Sequence, residues 1–434
     1  MKIILSVNAG SSSVKISVYS ASRNQNPTQI AELQVSGLTA APPTLDYSRG
    51  GTTVIKHREV KDKIDSQDDA FELLLRTLTD DKELAEISRK EDISIVSHRI
   101  VHGGDFARLE VISHETYNKL EALNDLAPLH NASGLEIVKS CMRVLPGATN
   151  VACFDTQFHA SIPEHIRTYP INQDIARSNK LRKYGFHGIS YAFITRSVAQ
   201  FLGKSVDDTS IIALHLGSGA SACAIKGGKS WDTSMGLTPL AGLPGATRSG
   251  SVDPSLVFHY ASDVGKLSPS STKELHISRA EEILNKESGW KALAGTTDFS
   301  AIAAAASSSP TDDNDDDDDD DTARRRLAFD LFVDRVLSFV GTYYVSLRGS
   351  VDALVFAGGI GERSAPLRAA VVDGVACLGF DGIDSTKNEA GGDGSVVWDV
   401  GAAGDGGKEH RVLVCRTDEQ FEMARSCAHD GELW

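Results

Sequence analysis

The stretch IILSVNAGSSSVKISV (residues 3–18) decides the fold. An apolar run, Ile3-Ile4-Leu5, reaches a loop, Asn8-Ala9-Gly10-Ser11-Ser12. A strict alternation comes next, with Val14, Ile16 and Val18 on one face and Ser13, Lys15 and Ser17 on the other. Period-two alternation marks a half-buried strand, so the spacing predicts strand, tight polar turn, strand. The turn gathers backbone N–H groups, the hydroxyls of Ser11 and Ser13 and the amide of Asn8. Lys15 lies two residues beyond Ser13 and shares its face. Such a set can grip a phosphate or a metal-bound phosphate.

The pattern returns at residues 211–225, IIALHLGSGASACAI, where Leu214 to Gly219 lines up with Val7 to Ser12. A repeat this far apart predicts two similar halves, each with a phosphate-facing hairpin. Two such hairpins facing across a cleft could hold both ends of a phosphoryl group in transit. Neither is a Walker A loop, because no Gly-Lys-Ser/Thr follows and no helix opens behind the turn. Two ordinary hairpins with Gly and Ser in their turns are the other reading of either stretch alone. The repetition favours the phosphate.

A chain of 434 residues has length for two domains with large cores. Its 41% hydrophobic and 24% charged content belong to a soluble globular protein. The first residues already read as a strand, leaving no basic-then-apolar leader, and no apolar run is long enough to span a bilayer. The expectation is a cytoplasmic protein without membrane contact. Cys141, Cys153, Cys223, Cys377, Cys415 and Cys427 are scattered with no CxxC pair, which predicts reduced core thiols. The net charge is −15, but nine Asp fall within residues 312–321, and without them the balance is −6. No basic nucleic-acid surface is implied. Arg324-Arg325-Arg326 follows the Asp run and reads as its local neutralisation.

Strands are expected at 3–7, 14–19, 30–35, 52–57, 93–97, 151–154, 211–215, 351–356 and 412–415. Helical spacing covers 68–89, 120–145 with a break at Pro128, and 327–347. Strands interleaved with helices give an α/β fold. Ala357-Gly358-Gly359-Ile360-Gly361-Glu362 reads as a glycine turn for close ligand approach, and Thr417-Asp418-Glu419 as the cap of a final helix, with Glu419 in a capping box. Residues 303–321 should be a disordered acidic insert and 390–408 a Gly/Asp-rich loop.

Polar motifs punctuate the strand ends: NAGSSSVK (8–15), SHRIVHGG (97–104), APLHN (127–131), FDTQFH (154–159), YGFHGIS (184–190), HLGSGAS (215–221), MGLTPLAGLPGATRSG (235–250), FAGGIGERS (356–364) and TDEQ (417–420). In this order they resemble the signature segments of the acetate kinase family, from the first residues to the last helix. The resemblance implies duplicated actin-like, ribonuclease H-like domains with an active-site cleft between them, as in sugar kinases, Hsp70 and actin. It places the first domain at 1–159 plus 421–434, on the acetate side, and the second at 160–420, on the nucleotide side.

The resemblance also implies roles. Asn8 and Glu419 match magnesium positions, and Mn2+ could substitute for Mg2+. Arg99 matches the acetate-binding arginine, although any single Arg can equally be a structural ion pair. Val101, Leu129, Phe186 and Pro239 match the pocket for the acetate methyl, and otherwise read as core. Asp155 matches the active-site carboxylate, His187 and Arg248 match transition-state groups, and His130 has a supporting role. His215, Leu216, Gly217, Ser218 and Gly219 match the nucleotide phosphate loop, with Lys15 facing the phosphates. Gly359, Ile360, Gly361, Glu362 and Arg363, with Asp298, Phe299 and Ser300, match adenosine segments.

Three positions depart from the family pattern: Ser218 stands for Asn, Ser300 for Arg and Tyr191 for His. The first two touch the donor site. The implied reaction is acetate + ATP ⇌ acetyl phosphate + ADP in a homodimer. Rival readings are a pyrophosphate-dependent acetate kinase, a propionate or butyrate kinase, and a catalytically silent sensor of the same fold.

Overall fold

The opening stretch folds into β1 (Lys2–Gly10) and β2 (Ser13–Ala21), paired antiparallel with Asn8 opposite Lys15. The structure is a computed structural model. It describes every residue except 11, 39–41, 126–127, 261–265, 270, 272–276, 308–315, 381 and 403–409, and the side chains of 124, 125, 128–130, 132, 133, 260, 307 and 316–319. The chain divides into two units, Met1–Gln157 with Asp418–Trp434, and Phe158–Thr417.

In the first unit β1 and β2 are joined by β3 (Thr28–Ser36), β4 (Thr44–Arg49), β5 (Thr52–Glu59), β6 (Ile93–Ile100), β7 (Glu110–Val111) and β8 (Thr149–Phe154). The order is β5-β4-β3-β2-β1-β6-β8-β7, with β1, β6 and β8 parallel and the other neighbours antiparallel. The alternation sorts the faces. Ile3, Leu5 and Val7 join Val14, Ile16 and Val18 in a core with Phe71, Leu74, Leu75 and Leu78. These last four lie on the helix Gln67–Thr79, which ends ten residues before the apolar spacing suggested. Ser6 and Ser17, fully buried on the opposite face, meet the final helix, Glu419–His429.

Gln420 makes that contact. Its Nε2 donates to Ser6 O at 3.1 Å and Lys15 O at 3.3 Å, and its Oε1 accepts from Ser17 Oγ at 2.9 Å. Ser6 Oγ donates to Gln420 O at 2.9 Å. The helix is capped by Asp418, whose side chain accepts from Phe421 N at 2.9 Å, so Asp418 and not Glu419 is the capping residue.

The second unit repeats the scheme with β9 (Ile211–Leu216), β10 (Ala220–Lys226), β11 (Lys229–Thr233), β12 (Ala353–Ala357), β13 (Val397–Asp399) and β14 (Arg411–Cys415). The order is β11-β10-β9-β12-β14-β13, and β9, β12 and β14 are parallel. Ile212, Leu214 and Leu216 pack in one core with Phe332, Val336, Val340 and Tyr343 of the helix Asp316–Ser346. Both sheets are the α/β duplication that the repeated hairpin implies.

Several expectations are corrected. Ala303 to Ser307, expected to be disordered, close the helix Phe299–Ser307, and Ile302, Ala303 and Ala305 are buried in the core. Alanines are low in complexity but pack well. Asp316 to Asp321 begin the long helix rather than continuing a disordered segment. Arg324 lies 3.4 Å from Asp320 and 3.8 Å from Asp321, and Arg325 also pairs with Asp321. Residues 312–315 lie outside the described residues. The 390–408 loop contains β13, which pairs with β14. The glycine turn after β12 is a short helix, Gly358–Arg363. All six cysteines are free, and Cys377 is exposed rather than buried. Among the described residues no helix is long and apolar enough to cross a membrane.

Replacing Gln420 by Leu leaves the buried Ser17 hydroxyl with Glu32 at 3.3 Å alone and removes a donor from the Ser6 and Lys15 carbonyls. Loss of such partners should destabilise the fold by roughly 1–3 kcal/mol. A lowered midpoint in urea unfolding checks this, and an unchanged midpoint would contradict it.

Candidate active site

Asn8, Arg99 and Asp155 sit at or just beyond the carboxyl ends of the parallel strands β1, β6 and β8, where α/β sheets place their ligands. Arg99 is fixed from two sides. Its Nε lies 3.3 and 3.2 Å from the two oxygens of Asp155, and its Nη2 donates to Oδ2 at 2.8 Å. On the other side Nη1 lies 3.3 Å from Glu419 Oε2. Burial opposes its charge, but Asp155 and Glu419 outweigh that and hold its pKa above the ordinary value. Asp155 is 1% exposed, whereas the Arg99 side chain keeps 21% of its surface. The arginine is therefore both anchored and reachable.

Asn8 follows Ser6 by two residues and so faces the final helix, which starts at Glu419. Among the described residues no hydrogen bond engages the Asn8 amide, and Arg99 alone pairs with Glu419. Both present oxygens of the kind a hard cation takes. Lys15 Nζ lies 3.0 Å from Glu32. Val101 is half-buried in the SHRIVHGG loop. Ser11 lies outside the described residues, as do the side chains of Leu129 and His130. Asn131, beside them, has a role that the motif did not reveal. Its Oδ1 accepts from His102 N at 2.8 Å and its Nδ2 donates to His102 O at 2.9 Å, clamping the loop that carries Val101.

In the second unit, His187 precedes the helix Gly188–Leu202 with φ +57°, a left-handed conformation uncommon for a side-chain-bearing residue. The turn before it needs Gly185, at φ +80°, because a Cβ there would come within 2.4 Å of Thr233. His159 secures the turn, with Nε2 2.9 Å from Phe186 O and Nδ1 2.7 Å from Ser230 Oγ. Burial drives the His159 pKa down to about 4. The His187 ring stacks on His215 with centroids 4.2 Å apart and planes at 27°. His187 Nδ1 lies 2.8 Å from Ser221 Oγ, and His215 Nδ1 lies 2.8 Å from Ser190 Oγ. Phe186 and Pro239 are both buried in this unit.

The loop His215–Gly219 is overlaid by the segment after Pro244. Ala246 N donates to Ser218 O at 2.9 Å, and the Arg248 guanidinium lies against Gly219, where a Cβ would sit 3.4 Å from its nitrogens. Gly358, at φ +74°, admits no side chain because a Cβ would meet Leu216 O at 2.7 Å. That packs the start of the helix Gly358–Arg363, with Gly359, Ile360 and Gly361, against the His215–Gly219 strand end. Arg368 holds the far end and carried no sequence signal beyond its charge. It is 2% exposed and donates to Gly361 O at 2.8 Å, Glu362 O at 2.9 Å, and Asn388 Oδ1 and O at 2.6 Å. Burial lowers its pKa to about 10. Glu362 accepts from Thr417 N at 3.3 Å, and burial raises its pKa. Asp298 caps its helix by accepting from Ser300 N at 2.9 Å and Ser300 Oγ at 2.6 Å. The Phe299 ring belongs to the core, against Trp290 and Phe332, so this segment offers a ligand its backbone and Asp298 rather than that ring.

His159 is neutral when folded but has an ordinary pKa near 6.5 when unfolded, so its contribution is whole above pH 6.5 and is lost as pH falls toward 4. The slope is about 1.4 kcal/mol per pH unit for one such group. Urea unfolding between pH 7 and 4.5 should show a correspondingly shallower decline in His159→Gln. Equal slopes would refute it.

The family profile described as the Acetokinase family matches residues 3–425. A protein of Chaetomium globosum named "Probable acetate kinase" is 68% identical over 454 residues, covering 100% of this chain and 99% of that one. Crystal structures of Porphyromonas gingivalis acetate kinase and of a Francisella tularensis propionate kinase are both 31% identical, with TM-scores of 0.77 and 0.81. Each covers 98% of this chain, and the alignments cover 98% and 99% of theirs. With this match spanning both sheets and every motif placed above, the chain belongs to the acetokinase family.

Proposed function

We propose that this chain transfers the γ-phosphoryl group of ATP to acetate, reversibly, giving acetyl phosphate and ADP. The observation that carries the reading is Arg99, anchored by Asp155 and Glu419 yet reachable from solvent. Asp155 takes one edge of the guanidinium, which leaves N–H groups for an incoming carboxylate. One acetate oxygen attacks the γ-phosphorus, and the bond from that phosphorus to the β,γ-bridging oxygen breaks. ADP leaves with the electron pair. The nucleophile is already ionised near neutral pH, so no base must remove a proton. Asp155, held against Arg99, aligns that arginine. His187 and Arg248 offer N–H donors to the equatorial oxygens, where charge spreads in transit. Val101, Leu129, Phe186 and Pro239 are assigned to the methyl group.

Arg99, Asp155 and Glu419 together carry one surplus negative charge, so an added carboxylate calls for further positive charge. Asn8 and Glu419 present oxygens suited to a hard cation that keeps waters and shares substrate phosphates. Mg2+, with Mn2+ as a substitute, fits this donor set and would supply charge neutralisation on the phosphate oxygens. Lys15, Ser11 and Ser13 are assigned to the phosphates, with His215–Gly219, Asp298–Ser300 and Gly359–Arg363 to the nucleotide. His130 is given a supporting role. A homodimer follows from the family resemblance, and a cytoplasmic setting from the six free cysteines.

A coupled assay tests the reading. ATP with acetate and Mg2+ should support turnover, and pyrophosphate should not. Arg99→Ala should lose roughly 2–5 kcal/mol of acetate recognition, read in kcat/KM for acetate, with ATP binding retained. Brisk turnover with pyrophosphate alone would overturn the donor assignment. Unchanged acetate kinetics in Arg99→Ala would overturn the acid site.

A further inference from the structure

His187 Nδ1 meets a hydroxyl, and a second hydroxyl behind the first decides where the ring proton lies. Tyr191 Oη lies 2.6 Å from Ser221 Oγ, which in turn lies 2.8 Å from His187 Nδ1. Tyr191 is fully buried, and so is Ser221. Burial pushes the Tyr191 phenol well above its usual range, so it keeps its proton. Among the described residues, Ser221 Oγ is the one acceptor within hydrogen-bond distance of that phenol. A buried O–H that donates to nothing is costly, so Tyr191 donates to Ser221. The Ser221 hydrogen then has His187 Nδ1 as its acceptor. Nδ1 must carry a lone pair, which leaves the ring proton on Nε2. A proton on Nδ1 would strand either the Tyr191 hydrogen or, with Ser221 accepting from both neighbours, the Ser221 hydrogen.

Stacking on His215 narrows the ring further. With planes at 27° and centroids 4.2 Å apart, the stack holds the ring plane and leaves two orientations related by a flip. The flip would turn a carbon toward Ser221 and forfeit the bond. We propose that Ser221 and Tyr191 are positioning residues that lock His187 in one orientation and one tautomer, with Nε2–H as its donor to the phosphoryl group. This rests on the phosphoryl-transfer reading above. It also gives Tyr191, where the family pattern has His, a definite task. The phenol has a single proton to give, so it drives the relay one way, whereas an imidazole could donate or accept.

The test uses the full chain labelled with 15N-histidine, and a His187→Asn spectrum identifies the His187 signals. Wild type should show the Nε2–H pattern. Tyr191→Phe, which removes only the hydroxyl, should give a mixture of tautomers, and so should Ser221→Ala. In both, kcat should fall by about ten-fold or more while KM for acetate and ATP moves less than about two-fold. Ser221→Thr, which restores a hydroxyl, should recover most of kcat. An Nδ1–H pattern in wild type would overturn the inference, as would a Tyr191→Phe protein with unaltered tautomer and kcat. The spectra need no turnover: an inactive wild type showing the Nε2–H pattern would sink the proposed reaction and leave the tautomer assignment standing.

Discussion

The last helix of the chain has to return to the first sheet, and one buried glutamine fixes where it lands. Gln420 uses both ends of its amide, on Ser17 and on the carbonyls of Ser6 and Lys15, while its own carbonyl accepts from Ser6. These groups are shielded from water, so any slip of the helix would leave several of them unpaired at once. A one-residue slip would also turn the helix by about 100°. Glu419 would then leave Arg99, which it meets at 3.3 Å, and would no longer share a face with Asn8. The arginine proposed to bind the acid and the candidate cation ligands thus depend on a residue that need touch no substrate.

The two sheets apply one arrangement to two chemistries. In each, a hairpin leads into two further parallel strands, and an antiparallel strand closes that edge. In each, one hairpin face is apolar and packs on helices. The other ends in a polar residue, Asn8 in β1 and His215 in β9, under a different helix. The final helix brings Glu419 to the first hairpin. The helix Gly188–Leu202 brings Ser190 and Tyr191 to the second. The cover differs, and so do the groups presented: amide and carboxylate oxygens in one unit, imidazoles and hydroxyls in the other. Oxygens suit a cation, and N–H donors suit an anion.

The elements legible in the sequence were those whose period declares itself. The alternation from Val14 to Val18 and the spacing of Phe71, Leu74, Leu75 and Leu78 each mark one buried face. Elements that misled had an ambiguous composition. Ala303 and Ala305 look like filler but fit a tightly packed interface, and β13 is three residues long and held by its partner β14. Strand ends carrying His, Arg, Asp and Gly marked the candidate site. The supports behind them were hidden, because Asn131, Arg368 and Gln420 gain meaning only from groups far along the chain.

The three departures from the family pattern resolve differently once their surroundings are known. At Ser218 the backbone carbonyl takes the fixed contact, from Ala246 N, so the loop keeps its shape whatever the side chain. Ser300 spends its hydroxyl on Asp298, stiffening the start of a helix whose next turn enters the core. That hydroxyl cannot also stand in for an arginine, and charge is missing there. Tyr191 is the departure with the most consequence, since its hydroxyl meets Ser221 Oγ, which in turn meets the ring of His187. On the proposed assignments, two of the departures alter what the donor site offers, and the third alters how firmly a transition-state donor is held. Changes of the first kind tune affinity, because they act on bound nucleotide whether or not the reaction proceeds. A change of the second kind tunes rate, because the orientation of an N–H donor matters most when charge has spread onto the oxygens it faces.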